Sequence, residues 1–170
     1  MSRLIAVILF SFTSIAGFSQ ADSIAPFLKT KQLPDFTLTN TDFKDFNQTI
    51  LNRSKSTIIM LFNPECDHCQ DQVKLFIATP QVVKNAQIVL SSVETQEKNK
   101  EFYDKFHLEK YPFIHLGKEY AYFFGGYYRP STIPFIAIYN PKKQLVFFSH
   151  GPASKAQVVD ALNSKKVPIK

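Results

Sequence analysis

The chain has 170 residues, with 20 Lys and Arg against 14 Asp and Glu, for a formal net charge of +6. The basic residues are scattered in short clusters such as Lys142-Lys143 and Lys165-Lys166, so the positive charge forms no stripe that would indicate nucleic-acid binding. The length suffices for one domain with a proper core, and two cysteines are too few for a stabilising framework of disulfides.

The first 19 residues predict a cleaved secretory leader. Arg3 supplies a positive charge, the run from Leu4 to Phe12 is almost wholly apolar, and small residues precede a cleavage point after Ser19. A short membrane anchor is the alternative, but the run is shorter than the roughly 20 residues that span a bilayer. We therefore expect an exported protein, soluble in the periplasm or cell envelope, with a flexible arm over residues 20–32 and one domain over residues 33–170.

Apolar periodicity predicts the elements of that domain in chain order. Five strands are expected, over residues 36–39, 57–62, 87–93, 134–139 and 144–149. Four helices are expected over residues 42–52, 67–78, 95–106 and 154–162, with a further short helix near 118–124 that Gly125-Gly126 ends. Alternating strands and helices that finish with a hairpin and a helix indicate an α/β fold, with a central mixed β-sheet flanked by helices on both faces.

The aromatic segment from Tyr120 to Tyr128 has two interpretations. Its rings either fill the core and line a loop, which is the favoured interpretation, or form a binding surface. In the second case, rings exposed near Pro134 would grip an unfolded segment of a partner.

The only two cysteines, Cys66 and Cys69, lie between the strand that ends at Phe62 and the start of the next helix. Two thiols separated by two residues close a small disulfide ring at little cost in chain entropy. The amide groups and dipole of a helix that begins at the first thiol stabilise a thiolate there. A single pair at this spacing predicts two-electron redox chemistry rather than a structural disulfide.

The strand–CxxC–helix unit, the later Thr132-Ile133-Pro134 that opens a hairpin, and the closing helix resemble the thioredoxin fold. The entry segment Leu33-Pro34-Asp35-Phe36-Thr37-Leu38 is similar to the start of exported TlpA/ResA-type thiol–disulfide oxidoreductases and related redoxins. The resemblance runs from about Leu33 to Leu162. It implies that Cys66 is the attacking thiol and Cys69 the resolving thiol. It also implies that Pro134 is a cis-proline which, with Ile133, positions a substrate chain.

Three residues near Cys66 are expected to tune its thiolate. A partly positive His68 would stabilise the thiolate and make the disulfide more oxidising, whereas the carboxylates of Asp67 and Glu65 would oppose it. The alternative is that these side chains are simply solvated at the start of a helix. The sequence departs from the family's pattern because Glu65 replaces a tryptophan and Met60 replaces a buried aspartate that relays protons.

The resemblance implies protein substrates with cysteine pairs and a membrane thiol carrier that donates or accepts electrons, with a slight preference for reduction. We expect a monomer with no cofactor. One alternative is a binding module that keeps the fold but has little exchange activity. Another is a metal-binding or delivery protein: structural zinc would need ligands beyond the two thiols, from His107, His115 or His150, none at a recognisable spacing, and paired thiols also suit Cu(I).

Overall fold

The computed structural model describes residues 24–164. The strands are β1 (Thr37–Thr39), β2 (Asp45–Asn47), β3 (Ser56–Leu61), β4 (Ala86–Ser92), β5 (Ile114–Lys118), β6 (Phe135–Tyr139) and β7 (Leu145–His150). The α-helices are α1 (Pro26–Thr30), α2 (Asp67–Ala78), α3 (Pro80–Asn85), α4 (Gln96–Lys105), α5 (Phe123–Tyr128) and α6 (Lys155–Asn163), and two 3-10 helices cover Gln48–Ile50 and Leu108–Lys110. The seven strands form one sheet in the order β2-β1-β5-β4-β3-β6-β7.

The centre of the sheet contains parallel strands that are buried on both faces, as is typical of parallel strands covered by helices. Every residue of β3 and β4 is buried, and the two strands pair in parallel, as β4 does with β5. Strand β6 runs antiparallel to β3 and starts where β3 ends, since Phe135 pairs with Leu61. This topology brings the loops that follow β3, β4 and β5 to the same edge of the sheet as the segment that precedes β6.

Helices cover both faces of the sheet. Side chains of α2, α3, α4 and α6 pack in one apolar cluster, which includes Met60 and Phe76. Side chains of α1 and α5 pack in the other, where Phe27, Phe124 and Tyr128 are almost completely buried. The predicted α/β class is therefore confirmed. Among residues 24–164, no helix has the length and apolar character needed to cross a membrane.

The helix predicted over residues 42–52 is wrong. The side-chain Oδ1 of Asn40 accepts hydrogen bonds from the backbone N–H groups of Asp42 and Lys44, each at 2.9 Å, and so closes a turn between β1 and β2. The helical spacing of the apolar residues misled because they do not share one buried face: Phe43 is 70% exposed and Ile50 is 47% exposed.

The prediction between residues 111 and 129 is also wrong, since β5 was missed and the short helix lies further along the chain. Helix α5 contains Gly125 and Gly126, which do not end it. Burial of Phe124 and Tyr128, one turn apart, outweighs the low helix propensity of glycine. In β5, a Cβ on Gly117 would lie 2.7 Å from the Cβ of Leu38, so only glycine lets the β1–β2 hairpin pack this closely.

The described part of the arm expected over residues 20–32 is packed against the domain. Helix α1 lies within it, and the ring of Phe27 contacts those of Tyr128 and Phe135 at centroid distances of 5.4 and 5.6 Å. The predicted leader over residues 1–19 lies outside the described residues. By contrast, the predicted ends of α2 and α6 are close to those observed, and Ser154 caps α6 through a capping box with Gln157.

Candidate active site

Cys66 is the N-cap residue of α2 and follows the loop that leaves β3. Asn63 shapes this loop: its side-chain Oδ1 accepts a hydrogen bond from the N–H of Glu65 at 2.8 Å, and its carbonyl accepts one from the N–H of Cys66 at 3.1 Å. The Sγ of Cys66 accepts a hydrogen bond from the N–H of Cys69 at 3.4 Å. Cys66 is partly exposed, so it combines access from solvent with the amide-rich environment of a helix N-terminus, where negative charge is favourable.

Cys69 lies one turn further along α2 and has the opposite environment. Its side chain is fully buried in the same apolar cluster as Met60, and both cysteines are free thiols. Burial, followed by the side-chain hydrogen bond with Cys66, raises the pKa of the Cys69 thiol from 9.0 to about 12. At neutral pH the Cys69 thiol is therefore protonated. Met60, which replaces the family's buried aspartate, has no ionisable group that could accept this proton.

The negative charge of Glu65 is compensated by a lysine on α4. Its Oε2 forms an ion pair with the Nζ of Lys98 on α4 at 2.6 Å, and the same Nζ lies 3.4 Å from Glu94. The pair with Glu65 is the main reason that the pKa of Lys98 lies above its usual value. The Nδ2 of Asn63 donates to Glu94 at 2.7 Å, which links this charge cluster to the cysteine loop. The sequence analysis missed Lys98 because it lies 33 residues from Glu65 and no local pattern joins the two.

Asp67 and His68 are both exposed in the first turn of α2. Within residues 24–164, neither side chain forms a hydrogen bond or an ion pair. His68 lies near enough to Asp71 to help lower the pKa of that carboxyl group, although the main cause is the hydrogen bond from Lys74. The influence of Asp67 and His68 on Cys66 stays a prediction.

The peptide bond between Ile133 and Pro134 is cis. Pro134 is buried at the start of β6, and its carbonyl accepts a hydrogen bond from the N–H of Gly151 at 2.9 Å. Ile133 is 38% exposed. Because Phe135 pairs with Leu61, this segment lies at the edge of the sheet where the chain turns from β3 towards Cys66.

A cleft of about 190 Å³ separates the loop after β3 from the segment before Pro134. We call it the apolar cleft. Its apolar lining is Leu61, Phe62, Val93, Gly125, Pro130 and Ile133, and its polar lining is Asn63, Ser91, Glu94 and Glu119. The buried Glu119 accepts a hydrogen bond from the N–H of Phe124 and one from Ser91, and burial raises the pKa of its carboxyl group. It thereby helps to fix the start of α5 beside the cleft.

The aromatic segment from 120 to 128 divides between the two interpretations of the sequence. Phe124 and Tyr128 belong to the core, as favoured, whereas Tyr120, Tyr122 and Phe123 are 60%, 68% and 41% exposed. These three exposed rings follow Glu119 and precede Gly125, two residues that line the apolar cleft. The segment therefore supplies both core packing and exposed aromatic surface near the cleft.

The histidines named as zinc ligands do not gather around the cysteines. Residues 24–164 contain no group of three or more His, Cys, Asp and Glu side chains arranged to hold a metal ion. His107 lies 3.5 Å from Glu109, His115 contacts the ring of Phe46, and His150 contacts Phe135.

A buried strand that leads to a CxxC at a helix N-terminus, beside a cis-proline that opens an antiparallel strand, defines a thioredoxin-like protein. The family model described as Thioredoxin matches residues 36–125, which is more than half of the chain. The chain therefore belongs to the thioredoxin family, as the sequence analysis predicts.

Solved structures support the same fold. The chain is similar to a secreted disulfide oxidoreductase of Mycobacterium tuberculosis homologous to Escherichia coli DsbE, with 14% identity, a TM-score of 0.61, and coverage of 79% of this chain and 96% of the other. It is also similar to StoA from Bacillus subtilis, with 16% identity, a TM-score of 0.56 and coverage of 75% and 96%. A third is a thiol:disulfide interchange protein from Chlorobium tepidum, with 18% identity, a TM-score of 0.56 and coverage of 84% and 97%. A search of curated proteins by sequence gives no significant match.

Proposed function

We propose that this protein is an exported thiol–disulfide oxidoreductase that exchanges disulfides with cysteine pairs of other envelope or secreted proteins. The observation that carries the proposal is the asymmetry of the pair: Cys66 is partly exposed at the N-cap of α2, whereas Cys69 is buried behind it. Reactive cysteines combine partial exposure with a stabilised thiolate, and buried ones are inert until a partner exposes or attacks them. Export is supported by the predicted leader and by the description of the Mycobacterium tuberculosis neighbour as secreted.

The reduction of a substrate then takes two exchange steps. The Cys66 thiolate attacks one sulfur of the substrate disulfide, forms a mixed disulfide, and releases the other substrate sulfur as a thiolate that takes up a proton. The Cys69 sulfur, after losing its proton, attacks Cys66 Sγ and releases the second substrate thiolate, which is protonated in turn. The substrate gains two electrons and two protons, and the protein ends with a Cys66–Cys69 disulfide.

The second step is expected to be pH-dependent because the pKa of Cys69 is raised to about 12. Burial, the largest cause, persists when Cys66 is in a mixed disulfide. Below that pKa the thiolate fraction rises about tenfold per pH unit, so release of the mixed disulfide should accelerate with pH. Single-turnover mixing of a preformed mixed disulfide between about pH 7 and 9 measures this, and a flat profile would show that another group deprotonates Cys69.

The apolar cleft and the segment before Pro134 support a binding site for the substrate chain. The exposed Ile133 precedes the cis bond, and the cleft beside it is mainly apolar. An extended substrate segment would pair with the backbone at Ile133 and place an apolar side chain in the cleft. Exposed apolar surface of this kind commonly marks an interaction site.

The direction that we favour is reduction. The electrons would then come from a membrane thiol carrier that reduces the Cys66–Cys69 disulfide after each turnover. The reduction potential, measured in glutathione buffers, tests the direction: a value near that of thioredoxin, about −270 mV, supports reduction, and a value near −120 mV contradicts it.

The activity is tested by reduction of insulin with dithiothreitol. Turnover should be lost in Cys66→Ser, whereas Cys69→Ser should accumulate a mixed disulfide that a non-reducing gel detects. Lys100→Met, on the outer side of α4, serves as a control for general effects of substitution. Turnover that persists in Cys66→Ser would sink the assignment to this pair.

A binding module with little exchange activity is the second candidate. Two observations favour it: Cys69 is buried in the apolar cluster that contains Met60, and the pKa of its thiol is raised. Both slow the resolving step. Such a module would form the mixed disulfide through Cys66 yet turn over no faster than dithiothreitol alone.

A further inference from the structure

His150 is the last residue of β7 and lies beside the start of β6, where it pairs with Phe135. Its ring meets the ring of Phe135 at a centroid distance of 5.1 Å and an angle of 63°, and that of Phe148 at 5.9 Å and 89°. The strand and the two rings together fix the direction of the imidazole. It faces the segment that precedes the cis-proline.

The imidazole is joined to that segment by a hydrogen bond. The backbone N–H of Ser131 donates to the Nδ1 of His150 at 3.1 Å. Ser131 lies two residues before Ile133, and residues 131–133 are exposed and belong to no helix or strand. We call residues 131–133 the proline loop. A side chain on β7 thus holds the loop that presents Ile133 and its backbone.

We propose that His150 is a positioning residue for substrate: its neutral imidazole holds the proline loop in the conformation that receives a substrate chain. This inference rests on the proposed exchange function and deepens it, because it names what sets the binding geometry. His150 acts through Ser131 and does not take part in the sulfur chemistry.

Only the neutral imidazole can play this role. A histidine nitrogen accepts a hydrogen bond through its lone pair, and the imidazolium carries a proton on both nitrogens. Protonation would therefore set an N–H of the ring against the N–H of Ser131 and release the proline loop. Loss of the acceptor nitrogen, whether by protonation or by substitution, should therefore weaken substrate binding.

Three variants separate this role from general structural effects. His150→Gln keeps a hydrogen-bond acceptor that does not titrate, and His150→Leu keeps an apolar body with no acceptor. His107→Asn is the matched control, since His107 is also an exposed histidine but is distant in sequence from the proline loop. Its φ is 50°, a conformation that asparagine tolerates.

The first measurement does not depend on activity. Hydrogen exchange of the Ser131 backbone amide, followed by NMR at one fixed pH, should be slowed by this hydrogen bond in the wild type and in His107→Asn. It should stay slowed in His150→Gln and become fast in His150→Leu. Equal exchange of the Ser131 amide in the wild type and in His150→Leu would overturn the proposal.

The second measurement compares a protein disulfide with a small one as substrates. In His150→Leu, the KM for insulin should rise about two- to tenfold, as the loss of one hydrogen bond allows, with kcat and the rate towards oxidised glutathione unchanged. His150→Gln, which keeps an acceptor, should restore the wild-type KM. Equal effects on insulin and glutathione would overturn the positioning role, whereas absence of Cys66-dependent turnover in the wild type would overturn the exchange function itself.

Discussion

Two clefts flank the cysteine loop, and they differ in almost every property that matters for binding. The apolar cleft, of about 190 Å³, lies on the side of α5 and the proline loop. The other cleft, of about 150 Å³, lies between α2 and α4 and is lined by Glu65, Gln70, Lys98, Glu101 and Lys105, together with Pro64 and Phe102. We call it the charged cleft.

Because of this difference, we expect the apolar cleft to supply affinity for substrate and the charged cleft to tune the redox properties of Cys66. Exposed ion pairs such as Lys98–Glu65 contribute little binding energy because water and salt screen them. Apolar surface removed from water contributes about 25 cal/mol per Å², so a substrate side chain in the apolar cleft supplies more affinity. The charged cleft includes Glu65, the residue that precedes Cys66. Its charges should instead affect the stability of the Cys66 thiolate relative to the Cys66–Cys69 disulfide.

The largest effect on substrate binding is expected from a substitution that fills the apolar cleft. In Gly125→Leu the new side chain should fill the cleft, because Gly125 lines it and a Cβ there meets no atom within 4 Å. If a substrate side chain of valine or leucine size is excluded, about 1.5–3 kcal/mol is lost, and the KM for insulin should rise roughly ten- to hundredfold. Steady-state kinetics measure this, with oxidised glutathione as a substrate too small to need the cleft.

Gly126→Leu is the matched control for this experiment. Gly126 lies in the same helix with equal open space around it, but it is exposed and does not line the cleft. Both variants should stabilise α5 by about 0.5–1 kcal/mol, since leucine is a better helix former than glycine. A rise in KM that is equal in the two variants would show that α5, rather than the cleft, is responsible.

A smaller effect is expected from the charged cleft. Lys98→Met removes the cation that compensates Glu65, so the Cys66 thiolate should become less favourable relative to the disulfide. The reduction potential should therefore become more negative, and the shift should shrink at high salt, where charges are screened over a few Å. Equilibration in glutathione buffers at low and high salt measures both.

Lys100→Met tests whether this effect is specific. Lys100 forms an equivalent ion pair on the same helix, with Asp104, but it does not contact Glu65. The reduction potential of Lys100→Met should equal that of the wild type. An unchanged potential in Lys98→Met as well would mean that the charged cleft is only a solvated surface.

The local half of the site could be predicted from the sequence, and the distant half could not. The positions of Cys66 and Cys69 follow from a buried apolar run and a helix start within a dozen residues, and the cis bond at Pro134 follows from the resemblance. Lys98 and His150 were beyond reach because each acts across the fold, on Glu65 and on Ser131. Periodicity says nothing about which side chains the topology brings together.

The fold shows the same limit. Strands β3 and β4 were predictable because burial on both faces leaves a continuous apolar run. The β1–β2 hairpin was not, since it depends on the side chain of Asn40 and on the absence of a Cβ at Gly117. Helix α5 was misplaced because tertiary packing of Phe124 and Tyr128 outweighs the glycines that local propensity counts as breakers.

The smallest effect is expected at His68, which belongs to neither cleft. Its imidazole is exposed in the first turn of α2, so solvent screens whatever it contributes to the Cys66 thiolate. His68→Ala should make the reduction potential slightly more negative, because it removes an imidazole that favours the Cys66 thiolate when protonated. Equilibration in glutathione buffers measures the difference from the wild type, and His107→Asn should show none. If His68→Ala also leaves the potential unchanged, tuning of the thiolate is confined to the charged cleft, and the comparison between the two clefts holds without a third contributor.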